Sequence, residues 1–192
     1  ISPVLRLLAP ESNARALITV TRPVIGDIVT EVTLEAGRVL DVALDDLGQG
    51  NAAVVIDSDA PIVAGIRQTS IGSPRTDLAW VPSARIIEGV GSVVVPGGVN
   101  ATLHLFSVSD QPADITLAQV NADGSQALAA SDIPLAPRAL GTRALGDRGG
   151  SYIVETDQPV AMAVVLEQPG RIAHLSVVAP PADAEAITVY AR

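Results

Sequence analysis

Cysteine and lysine are both absent from the 192 residues, aromatic side chains make up only 2% of the chain, and histidine occurs twice. Without Cys there is no disulfide, no thiolate metal site and no thiol nucleophile. Four aromatics (Trp80, Phe106, Tyr152 and Tyr190) are too few for an extended glycan cleft built on stacking platforms. With no Lys, all 12 basic residues are Arg, set against 21 acidic residues for a net charge of -9. That balance argues against nucleic acid and against anionic lipid, both of which call for a basic face. No apolar run approaches the roughly 18 residues of a membrane-spanning helix. The lack of Cys fits the cytosol and an exported bacterial protein equally, and an opening Ile1 in place of Met is expected of a processed chain or a fragment.

What is present is a core-forming supply of Ala, Val, Leu and Ile, with hydrophobic residues at 48%. Their spacing is that of strands. Leu5 and Leu7 flank polar Arg6, and Ile28, Thr30, Val32 and Leu34 alternate with Val29, Glu31 and Thr33. Leu40, Val42 and Leu44 alternate likewise, as do Ile115, Leu117 and Gln119 with Thr116 and Ala118. Turn-forming clusters punctuate these runs, among them Pro10-Glu11-Ser12-Asn13, Gly48-Gln49-Gly50-Asn51 and Asn121-Ala122-Asp123-Gly124. A helical turn is expected only at 182–186 and, more weakly, at 125–130.

The chain also repeats itself. Residues 54–64 (Val-Val-Ile-Asp-Ser-Asp-Ala-Pro-Ile-Val-Ala) recur at 152–162 with an offset of 98, which sets Asp59 on Asp157 and Pro61 on Pro159. Leu5-Arg6-Leu7 falls on Leu103-His104-Leu105 at the same offset, and Ile18-Thr19-Val20 falls on Ile115-Thr116-Leu117 one residue short of it. Residues 36–40 match 136–140 at an offset of 100. These blocks predict an all-β protein of two tandem antiparallel sandwiches with an immunoglobulin-like or fibronectin-like layout, 1–96 and 97–192, related by internal duplication and joined near Pro96-Gly97-Gly98. Residues 92–95 and 186–189 are the expected closing strands.

Candidate sites follow from residue type. Asp57/Asp59 and their counterparts Glu155/Asp157 offer oxygen ligands for calcium, but an Asp-x-Pro turn, in which the carboxylate bonds backbone amides, accounts for them more simply. Gly48-Gln49-Gly50-Asn51-Ala52-Ala53 fits a dinucleotide-loop string, yet a β-branched strand follows it where such a site needs a helix. His104 and His174 have no short metal-ligand spacing and no nucleophile elbow accompanies them, so no catalytic residue, metal site or cofactor is expected. His104 takes the alternation slot of Arg6 and is expected to be exposed. Trp80 is most simply a core or inter-domain plug, but the only place that gathers Trp, two Arg and an Asp is Arg75, Asp77, Trp80 and Arg85, the makings of an interface anchor flanked by orienting polar groups. Val178 stands near the place equivalent to Trp80, so the anchor is expected in the first copy alone.

The blocks 55–64 and 153–161, with the tract 32–42 (Val-Thr-Leu-Glu-Ala-Gly-Arg-Val-Leu-Asp-Val), resemble recurring phrases of an uncharacterised family of actinobacterial envelope proteins. Those proteins are built of tandem β-sandwich units behind an N-terminal membrane anchor. The resemblance covers most of both copies. It implies a non-catalytic, extracytoplasmic interaction or scaffold module, held at the membrane by a segment outside this chain. The implied partner is another envelope or membrane protein, a membrane glycosyltransferase among the candidates. A glycan- or calcium-binding sandwich is the alternative, and an enzyme is expected least.

Overall fold

A computed structural model describes residues 2–23, 26–45 and 50–180. Every named element among them is a β-strand, fourteen in all. The first seven are β1 (Val4–Leu8), β2 (Ala14–Arg22), β3 (Gly26–Leu34), β4 (Val39–Ala43), β5 (Ala53–Ser58), β6 (Val63–Ile71) and β7 (Thr76–Pro82). The rest are β8 (Arg85–Val95), β9 (Asn100–Ser107), β10 (Ala113–Val120), β11 (Gln126–Leu135), β12 (Leu140–Gly146), β13 (Gly150–Gln168) and β14 (Arg171–Ser176). The candidate helix at 125–130 is strand β11 after an Asn121–Ser125 turn, because Gly124 takes a positive φ and the chain doubles back. Residues 182–186, 186–189 and Gly48-Gln49 lie outside the described residues.

The elements form several sheets around two cores. A four-stranded sheet (β4-β1-β6-β7) and a three-stranded sheet (β3-β2-β5) share a core of Leu5, Leu7, Ala14, Ala16, Ile18 and Leu34. The remaining seven strands are linked through β13, and they enclose a second core that includes Leu103, Leu105, Ile115, Leu117, Val154 and Met162. Leu, Val, Ile and Ala dominate both cores, as expected of a chain with few aromatics. The stretch 92–95, expected to close the first copy, lies in β8. That strand runs antiparallel to β13 and places Ile87, Val93 and Val95 in the second core. β8 therefore lies before the expected joint at Pro96-Gly97-Gly98, yet packs with the strands that follow it.

At 19 residues, β13 is long enough to pair with two different strands in turn. Up to Thr156 it pairs with β10, and from Val160 with β9. Its pairing with β8 shifts register between Thr156 and Val160. Pro159 has no N–H to give a ladder, and Thr156 Oγ1 donates locally to the Gln158 carbonyl. The same local chemistry, Ser58 Oγ donating to the Ala60 carbonyl ahead of Pro61, separates β5 from β6.

Two hydrogen bonds recur in the two halves, and their register differs from that of the sequence blocks. Arg15 N–H donates to Asp59 Oδ1 at 2.7 Å, and Asp114 N–H donates to Asp157 Oδ1 at 2.8 Å. Ala16 stands opposite Ser58, as Ile115 stands opposite Thr156. Ile18 therefore corresponds to Leu117, two residues from the expected match with Ile115. A two-residue slip keeps every side chain on its own face, so alternation alone cannot detect it. Gly37 (φ 71) and Arg138 (φ 54) share the left-handed position of one turn, a residue away from the expected pairing of Arg38 with Arg138. Fifteen residues separate Ile66 from its partner Val81, but eleven separate Val164 from Leu175. The position equivalent to Trp80 is consequently His174, not Val178.

Candidate functional site

The outward face of the β4-β1-β6-β7 sheet is the first candidate surface. Leu5 and Leu7 point into the core, so Val4, Arg6 and Leu8 point away from it. Arg6 stands opposite Asp41 on β4 and opposite Gly65 on β6. Its guanidinium makes a bidentate pair with Asp41, Nε to Oδ1 and Nη2 to Oδ2, both at 2.7 Å. The hydrogen bond from Arg6 holds the Asp41 carboxyl below the usual carboxylate range, and the same bond raises the Arg6 pKa. Held this way, the guanidinium lies 5.3 Å from the centroid of the Trp80 ring, within cation–π reach. Gly65 leaves room beneath that ring: a Cβ there would meet Trp80 Cε3 at 3.7 Å.

Trp80 is 46% exposed, so it is a surface residue braced by its neighbours and not a core plug. Strand alternation places exposed Val39, Val63, Ile71 and Leu78 on the same face. The four residues expected to act together are distributed differently. Asp77, three residues from Trp80, points to the opposite side of β7 and lines a cavity with Arg75. Arg85 opens β8 opposite Met162.

That cavity lies where the β6–β7 hairpin meets the β13–β14 hairpin, and its volume is about 710 Å³. The hairpins interlock through positions 98 residues apart. Ser70 Oγ donates to the Gln168 carbonyl at 3.1 Å. A Cβ at Gly72 would run into the backbone of Pro169 and Gly170, and one at Gly170 into the Arg75 carbonyl. Asp77 completes the joint by accepting from Ile172 N–H through Oδ2 and from Leu78 N–H through Oδ1.

His104 and His174 form a second cluster that their spacing in the sequence does not disclose. His104 stands opposite Ala163 on β13, and His174 opposite Val165 on the other edge of the same strand. The two imidazoles thus occupy the positions that Arg6 and Trp80 hold on the first sheet. Burial lowers both pKa values, and the charge of His104 lowers that of His174 further. His104 is half-buried, not exposed as its alternation slot predicted, because the short imidazole stays close to the sheet between β12 and β13 where the longer Arg6 side chain reaches solvent. Neither ring nitrogen of His174 has a hydrogen-bond partner, although both are buried. The signal that could have paired the two residues is their match to Arg6 and Trp80, which the shorter second hairpin obscures.

Of the four carboxylates weighed for calcium, Asp59 and Asp157 each accept a backbone N–H from a neighbouring strand, as the Asp-x-Pro turn expects. Among the described residues, no three His, Asp or Glu side chains stand close enough to hold a metal ion. Residues 2–139 match the model of a family of unknown function, DUF5719. No curated protein and no solved structure matches the chain.

Proposed function

We propose, from the premise that this chain belongs to the DUF5719 family of unknown function, that it is a non-catalytic interaction or scaffold module. In this reading it works outside the cytoplasm at a bacterial cell envelope, anchored through a segment beyond this chain. It comprises two immunoglobulin- or fibronectin-like sandwiches derived by duplication and presents the outward face of β4-β1-β6-β7 to another envelope or membrane protein. A membrane glycosyltransferase is a candidate partner. The recurrence of the Asp59 and Asp157 bonds, and of the Ser58 and Thr156 bonds, supports the duplication.

One observation carries the interaction reading: Val39, Val63, Ile71, Leu78 and Trp80 are exposed on a single face, with the Asp41–Arg6 pair holding the indole in place. Aromatic and Arg anchors with apolar neighbours are the usual composition of an interface hot spot. The test places a photo-crosslinking residue at Leu78 and, as a control, at Val29 on β3, in the native envelope. Selective labelling from position 78 is expected. Trp80→Ala should weaken binding of the captured partner by about 2 kcal/mol or more. Equal labelling from both positions, or a partner insensitive to Trp80→Ala, overturns the reading.

A further inference from the structure

We propose that the cavity between the β6–β7 and β13–β14 hairpins binds a small monocarboxylate with an apolar body, independently of the docking face above. At about 710 Å³ the cavity falls in the range of small-molecule sites, which favour junctions between packed units. Its walls include the apolar Val99, Leu166, Ile172 and Ala173. Arg75 and Arg171 line it as well, and the fold brings them there by a defined route: the Arg75 carbonyl rests on Gly170, the residue before Arg171, where no side chain would fit.

Neither guanidinium has a carboxylate partner among the described residues, whereas Arg6, Arg38 and Arg138 each have one. Asp77, the nearest acid in sequence to Arg75, has both oxygens bonded to backbone N–H groups of Leu78 and Ile172. Two guanidinium groups on the lining of one cavity supply donors suited to an anion. The remaining acid of the lining, Glu167, and the net charge of -9 disfavour a dianion, while the apolar wall rewards a hydrocarbon body. A carboxylate on an apolar chain meets all of these conditions. Free fatty acids and the apolar C-terminal residue of a peptide share that chemistry.

The test is an amide NMR titration of the whole chain with octanoate, beside octanol and inorganic sulfate. Octanoate is expected to shift the amides of Gly170, Ile172 and Ala173. The Arg75→Gln/Arg171→Gln variant, whose changes lie on exposed side chains, should keep its melting temperature and lose at least tenfold in octanoate affinity. N-acetyl-leucyl-leucine, run in parallel, separates the two sources, and the tighter binder identifies which one the cavity suits. Octanol binding as tightly as octanoate, sulfate producing the same shifts, or unchanged octanoate affinity in the double variant would each overturn the proposal.

Discussion

Asp59 and Asp157 illustrate how a carboxylate can be structural without being buried. Each accepts a hydrogen bond from the N–H of a strand more than forty residues away and so pins the start of β2 or β10 against the turn that precedes Pro61 or Pro159. Asp59→Ala should cost about 1–2 kcal/mol in urea unfolding, and calcium or EDTA should leave the melting temperature unchanged. A calcium-dependent shift in the native protein would reopen the metal reading. The histidines carry a different kind of cost. Burial lowers both of their folded pKa values below the unfolded value of about 6.5. The unfolded chain therefore binds protons more readily as the solution acidifies. The stability associated with the neutral imidazoles is complete above pH 6.5 and is lost as the pH falls through the lower folded values. His174→Leu removes that titration together with two unsatisfied nitrogens. It should be as stable as the parent or about 1 kcal/mol more so at pH 7.5, and should lose less stability than the parent between pH 7.5 and 5.5. Parallel melting curves for the two proteins across that range would contradict the assignment.

Among the elements, the two interlocked hairpins decide how one set of strands sits on the other. Gly72 has no left-handed backbone, so Gly72→Ala tests the close approach alone, while Gly170 (φ 69) combines a left-handed conformation with the same contact. Gly72→Ala should cost about 1–3 kcal/mol and should broaden the angular range between the halves, visible as a larger radius of gyration in small-angle scattering. The two core clusters should survive, because no member of either lies in the hairpin tips. An unchanged scattering profile would mean that the glycine contact is not what holds the halves together. The unequal hairpin lengths also explain why Trp80 and His174 occupy equivalent places without resembling one another. Four extra residues in the first hairpin carry Pro74 and Arg75 over Gly170, and the sequence match fails from that point onward.

For the molecule as a whole, the allegiance of β8 is the feature with the largest consequence for stability. Ile87, Val93 and Val95 are each nearly fully buried in the second core. At about 1.5–3 kcal/mol for each buried aliphatic side chain, removing β8 forfeits an amount comparable to the entire stability of a small domain. A fragment of residues 84–192 should fold with a cooperative transition, whereas 97–192 should give the dispersionless amide spectrum of an unfolded chain. A folded 97–192 fragment would show that β8 is dispensable and that the joint lies where the sequence blocks place it.

Much of this was legible in the residues. Period-2 alternation at Leu5–Leu7 and Ile115–Leu117 marks strands and their buried faces, since a pleated strand presents alternate side chains to one side. Asp-x-Pro marks the break between β5 and β6 and the register shift within β13, because Pro cannot donate to a ladder. The lone Trp80 draws attention to its tract, but the Arg that braces it is Arg6 and not Arg75 or Arg85. The residues did not disclose which strand pairs with which, since alternation is blind to slips of two and Ile18 fits Ile115 as well as Leu117 on that criterion. Nor did they disclose that Arg6 reaches Trp80, that His104 and His174 flank one strand, or that β8 joins the second core. Those are contacts between positions tens of residues apart, chosen by the order of strands within sheets and by the fit of one hairpin over a glycine in another. Local pattern dictates which face of a strand is buried, and only the packed chain decides what lies against it.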